Sequence, residues 1–153
     1  MRSGAAMARR SRAWSTVFGV TYAFLRLIDL WLRAAWQLGG LGITARLSVR
    51  GRRTGQQRSV LVGLLRVDGT WYVGHPNGSA AWTRNLEAAG AAELRQWRGS
   101  PIHVRARRLQ DGPERDAVIH ATAHQQPFPG NLLYRASQRH ILAVGTYFRL
   151  TPE

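Results

Sequence analysis

Between Trp14 and Trp36 most positions are apolar, and Tyr22, Arg26, Asp29, Arg33 and Gln37 recur at helical spacing as one narrow polar stripe. That period predicts a helix over residues 13–38, supported where Asp29 can pair with both Arg26 and Arg33. Such a helix either lies in a groove of its own domain or rests on a membrane surface with arginines toward the headgroups. The glycines of "QLGGLG" end it. Its uncharged stretch, Ala13 to Leu25, is too short to span a bilayer. Bulky Trp and Tyr and the absence of a small-residue cleavage site argue against a signal peptide. The preceding residues 1–12, small and basic, read as a disordered tail.

Beyond Gly42 the period falls to two. In "TARLSVR" Ala45, Leu47 and Val49 alternate with Arg46, Ser48 and Arg50, which predicts a half-buried strand. "SVLVGLLRV", residues 59–67, reads as one nearly continuous buried strand, Asp68-Gly69 as a tight turn, and "TWYVGH" as the returning strand. "PNGS" breaks the sheet and offers Ser79 as the N-cap of a short helix, "AAWTRNLEAA", stopped by Gly90. "AELRQW" and "IHVRARRL" form a second hairpin with Ile102, Val104 and Ala106 inward. A helix over residues 111–126, a loop at "PFPGN", a short helix over 132–139 and a closing strand over 141–150 complete the chain. Six strands joined mostly by hairpins predict a mainly β, α+β fold. Its form is a split antiparallel barrel with a long N-terminal helix and short peripheral helices. Residues 13–153 make one domain.

Composition sharpens this picture. The 153 residues include 22 basic ones, all arginine, against 8 acidic ones, for a net charge of +14. A field of that sign favours an anionic partner. The chain has no cysteine, so disulfides and thiolate chemistry are excluded. His120 and His124 share a helix face, but no carboxylate accompanies them and no metal site is expected. The aromatic residues read as buried rather than interleaved with arginines, so nucleic acid is not the expected partner.

Two stretches could carry chemistry. In "VRGRRTGQQRSV", Gly51 and Gly55 bracket Arg52, Arg53 and Thr54 between two strands, with Arg50 and Arg58 alongside. This is either a solvated basic hairpin or a cradle in which backbone N–H groups and guanidinium forks hold an anion. In "GHPNGSAAWTRNL", a strand end and small-residue loop meet a helix N-terminus beside Trp82. That arrangement suits a planar heterocycle, although Trp82 alone reads more readily as core.

Taken together and in this order, Gly51-Arg52-Arg53-Thr54-Gly55-Gln56-Gln57-Arg58 and Trp82-Thr83-Arg84-Asn85-Leu86 resemble the deazaflavin-dependent nitroreductase family. These are split-barrel oxidoreductases using coenzyme F420. Gln57 stands where the family usually has proline, and the glycine loop before the tryptophan is shortened. The resemblance implies that Arg52, Arg53, Thr54 and Arg58, with Ser59 and Val60, hold the phosphate and acidic oligoglutamyl tail. It also implies that His75, Pro76, Asn77 and Gly78 edge the deazaflavin ring while Trp82 and Asn85 shape the pocket. Tyr134 becomes the candidate catalytic residue, a hydrogen-bond or proton donor to the acceptor; a packed tyrosine is the competing reading. Hydride would pass to a small hydrophobic acceptor such as a quinone, nitro compound or enone. FMN is the alternative cofactor, and a membrane-surface or fatty-acid-binding barrel the non-catalytic alternative. The expected location is cytoplasmic, with peripheral contact to an anionic membrane at its inner face.

Overall fold

The computed structural model describes the backbone of residues 2–27, 43–126 and 130–153, and side chains over 12–24, 43–126 and 131–153. Helix α1 spans Arg2–Leu27. It begins inside the stretch read as a disordered tail, where Ala, Met and Arg, all strong helix formers, outnumber Gly4 and the serines and no proline interrupts the run. The expected continuation to residue 38, with Asp29, Arg33, Gln37 and the terminating glycines, lies outside the described residues.

Among the described residues seven strands follow: β1 Thr44–Arg50, β2 Gln57–Gly63, β3 Leu65–Val67, β4 Thr70–His75, β5 Ala91–Arg95, β6 Ile102–Arg108 and β7 Thr146–Pro152. They form one antiparallel sheet in the order β2-β1-β5-β6-β7-β4-β3, curled into a half-barrel so that β2 approaches β4. The helices are α2 Ala81–Ala89, α3 Pro113–Gln125, α4 Gly130–Ala136 and α5 Gln138–Val144. The split barrel and peripheral helices thus match the expectation. The single strand expected over 59–67 is divided at Leu64: its N–H still bonds the Ile43 carbonyl at 2.9 Å, just before the start of β1, and from Leu65 the chain pairs with β4 instead. The strand expected to start at residue 141 starts at Thr146, because Ile141 to Val144 belong to α5. The cap of α2 is Ala80 rather than Ser79, and the Thr83 hydroxyl accepts the Ala80 N–H at 2.8 Å.

Strand alternation divides the apolar side chains between two cores. Ala45, Leu47 and Val49 from β1 join Val62, Val73, Leu94, Val104, Phe148 and Leu150 inside the curl, closed by Leu86 of α2. Tyr72 and Tyr147 point to the other face. There they meet Phe18 of α1, Val118 and Ile119 of α3 and Ile141 of α5. Each fully buried Leu, Val or Phe contributes about 1.5–3 kcal/mol, so the two layers hold the sheet from both sides.

Buried polar groups lock the helices in register. The Arg115 guanidinium, 5% exposed, donates to the carbonyls of Leu142 at 2.9 Å and Gly145 at 2.7 Å, satisfying the C-terminal end of α5. Glu114 accepts the Tyr72 hydroxyl at 3.0 Å and Arg149 Nε at 2.7 Å, tying α3 to β4 and β7.

Candidate active site

The arginine loop is a closed hairpin end. Its base is the Val49–Arg58 and Arg50–Gln57 pairing of β1 with β2. Gly51 N–H donates to the Gln56 carbonyl at 2.8 Å and Gly55 N–H to the Gly51 carbonyl at 2.9 Å. Gln56 N–H reaches the Thr54 hydroxyl at 3.3 Å. Gly55 has φ of 70°, a left-handed conformation that glycine adopts without strain. Gly51 is buried, and a Cβ there would lie 3.1 Å from the Gln56 carbonyl oxygen. The loop therefore uses most of these N–H groups to close itself. The guanidinium forks are among the donors it leaves for a ligand.

One of those forks joins the two sequence motifs. Arg52 N–H lies 3.3 Å from Asn85 Oδ1, and Arg52 Nη1 donates to the same oxygen at 2.9 Å. Asn85 is 9% exposed, fixed on α2 beside Trp82, which is half-buried against the inner core. Arg53, Thr54 and Arg58 are exposed around this junction. Ser59 is turned toward β1, where its hydroxyl meets that of Ser48 at 2.8 Å, and Val60 packs on the inner core.

The second rim is the end of β4. Gly74 lies opposite Tyr147, and the ring occupies its space: a Cβ at Gly74 would fall 2.2 Å from Tyr147 Cδ1. His75 and buried Pro76 follow. Asn77 Oδ1 lies 2.8 Å from Nε2 of buried His140 on α5, and Asn77 Nδ2 donates to the Ser15 carbonyl of α1 at 3.4 Å. His75 Nδ1 is buried and has no hydrogen-bond partner among the described residues. Burial lowers the His75 pKa, and the backbone of Gly78 and Asn77 offsets this in part. Burial lowers His140 as well. Both imidazoles are thereby held neutral at pH 7.

A cluster of phenols completes this side. Tyr134 of α4 is half-buried, its hydroxyl hydrogen-bonded to that of Tyr22. Burial, and then Tyr22, push the Tyr134 hydroxyl well above its ordinary value. Burial raises Tyr22 to about 12, an effect its hydrogen bond with Tyr134 partly opposes. Such phenols are proton donors, never bases, near neutrality. The Tyr22 ring stacks on His75 with centroids 4.7 Å apart, and Phe18 packs against both Tyr134 and His140. Tyr22 and His140 are the site neighbours that sequence reading missed. Tyr22 reads as part of a polar stripe, and only the fold sets it on His75.

These groups suit an anionic, ring-bearing cofactor. Guanidinium donors stand at the arginine loop, and a buried imidazole nitrogen without a partner among the described residues stands at the rim expected to meet the ring.

Comparison with known proteins bears on the family and on the fold. The family model described as F420H(2)-dependent quinone reductase matches residues 34–138, more than half of the chain. Among curated proteins none matches by sequence. Among solved structures, one described as an F420-H2 dependent reductase, FDR-A, is similar with TM-score 0.56 at 16% identity, covering 71% of this chain and 94% of its own. The heme storage protein HutZ from Vibrio cholerae has TM-score 0.55 at 14% identity over 78% of this chain and 87% of its own. A conserved hypothetical protein from Mycobacterium tuberculosis gives 0.54 at 11% identity over 79% of each chain. At such identities these structures speak to the fold, the split barrel.

Proposed function

Since the chain belongs to the F420H(2)-dependent quinone reductase family, and is thus an oxidoreductase whose cofactor is coenzyme F420, we propose that its electron acceptor is a quinone. Nitro compounds and enones are related acceptors of hydride. The observation that carries the site assignment is the double hydrogen bond from Arg52 to Asn85, which brings the arginine loop and the Trp82 helix together as one wall.

In this reading Arg52, Arg53, Thr54 and Arg58, with Ser59 and Val60 behind them, hold the cofactor's phosphate and acidic tail, drawn in by the net charge of +14. His75, Pro76, Asn77 and Gly78 border the ring, and Trp82 and Asn85 support the pocket. When bound, the reduced deazaflavin supplies the hydride. The protein orients the acceptor and excludes water. Tyr134, kept protonated by burial, donates a hydrogen bond to the acceptor oxygen and the proton that completes the hydroquinone. Its phenolate is then reprotonated from solvent.

A quinone is membrane-soluble, and the outward row of α1 (Val17, Val20 and Phe24) is exposed. Among the described residues no helix is long and apolar enough to cross a membrane. Peripheral contact at an anionic surface is the mode that this row and the arginines support. The cofactor assignment is tested by titrating the purified protein with F420 and following fluorescence. Saturation at about 10 µM or below, roughly the affinity of two or three charged hydrogen bonds beyond the cost of association, is expected, with quinone-dependent oxidation of the reduced cofactor. Absence of binding, or binding without turnover of any quinone, overturns the respective half of the reading.

A further inference from the structure

The barrel and its short helices supply every residue assigned above, yet α1 reaches into the same place. Tyr22 lies flat against His75, at 4.7 Å between centroids and 26° between planes. Its hydroxyl engages Tyr134, and one turn earlier Phe18 is buried against Tyr134 and His140. Beyond the stacked ring, His75 Nδ1 is buried with no hydrogen-bond partner among the described residues, although the backbone of Gly78 and Asn77 lies against the imidazole. A buried imidazole nitrogen left unpaired costs free energy that a ligand atom can recover. Stacking limits where that nitrogen can point, since the plane of the imidazole is set by the plane of the phenol.

We propose that Tyr22 is a positioning residue that makes the N-terminal helix a wall of the cofactor site: it holds the His75 imidazole so that Nδ1 meets a polar atom of the bound deazaflavin. The inference rests on the functional reading above. Among the described residues, the phenols and the imidazole clustered around His75 are Tyr22 of α1, Tyr134 of α4, Tyr147 of β7 and, across Asn77, His140 of α5. The phenols are raised and His140 is lowered by burial, so none carries charge near neutrality and the imidazole is aligned by packing rather than by ion pairing.

The experiment is imidazole 15N NMR on the full chain, with and without F420, for the wild type, Tyr22→Phe and Tyr22→Leu. In the wild type and in Tyr22→Phe, which keeps the ring, His75 should titrate below its ordinary value and its Nδ1 resonance should move when F420 is added. In Tyr22→Leu the His75 titration should return toward the ordinary value. The F420 dissociation constant should rise by about fivefold, the worth of one aromatic stacking contact. A Tyr22→Leu protein with unchanged His75 titration and unchanged affinity overturns the proposal, as does a Tyr22→Phe protein as impaired as Tyr22→Leu. If Tyr22→Leu does not fold, the Nδ1 response in the wild type and Tyr22→Phe decides. A wild type that binds no F420 defeats the functional reading instead, and the ligand-free His75 titrations then settle whether Tyr22 positions the ring.

Discussion

Arg52 and Arg53 are both exposed, but at Asn85 a single carbonyl oxygen receives both the backbone N–H and the guanidinium of Arg52. The two arginines therefore differ in what their loss should do. Asn85→Ala removes the acceptor, and unfolding by denaturant should show a loss of about 1–2 kcal/mol together with roughly tenfold weaker F420 binding. Arg53→Ala should leave the unfolding midpoint in place and still weaken F420 binding about tenfold, the value of one charged hydrogen bond. A solvated basic turn would show the reverse, with no effect of Arg53→Ala on the ligand.

Among the elements, β4 is set by its pairing with β7, where the Tyr147 ring covers Gly74. Gly74→Ala would drive a methyl group into that ring. We expect the urea midpoint to fall by the equivalent of about 1–3 kcal/mol with an unchanged denaturant slope; an unchanged midpoint would show that the ring moves aside freely. This contact also marks the limit of what the sequence discloses. Strand alternation in β1 and β6, the Asp68-Gly69 turn and the Gly90 stop are local signals, and each sits where expected. The break at Leu64 was hidden, because residues on both sides are apolar and an apolar run carries no mark of where pairing ends. Ile141 to Val144 failed for a related reason: four apolar residues suit a buried strand and a helix equally. In the candidate site both motifs were legible because each is contiguous. The Arg52–Asn85 junction and the stacking of Tyr22 on His75 join distant segments, and no local pattern encodes them.

For the molecule as a whole, charge and exposed apolar surface act together. Val20 is 65% and Phe24 61% exposed on a helix that also carries Arg2, Arg9, Arg10 and Arg12. The protein should sediment with vesicles rich in phosphatidylglycerol at low salt. Binding should weaken in ~0.5 M salt, where the screening length falls below about 5 Å. A Val20→Asp, Phe24→Asp double variant should stay in the supernatant while still binding F420. Equal sedimentation of the variant, or none by the wild type, would remove the membrane contact.

The place of β7 in the sheet has a consequence for biosynthesis. It is the last strand in chain order, yet it sits between β6 and β4. Until β7 has emerged and paired, the β3–β4 hairpin has no route to hydrogen-bond with the other four strands. A nascent chain that has not yet made β7 must carry two open sheet edges, and the barrel closes only once this seventh strand is inserted between them.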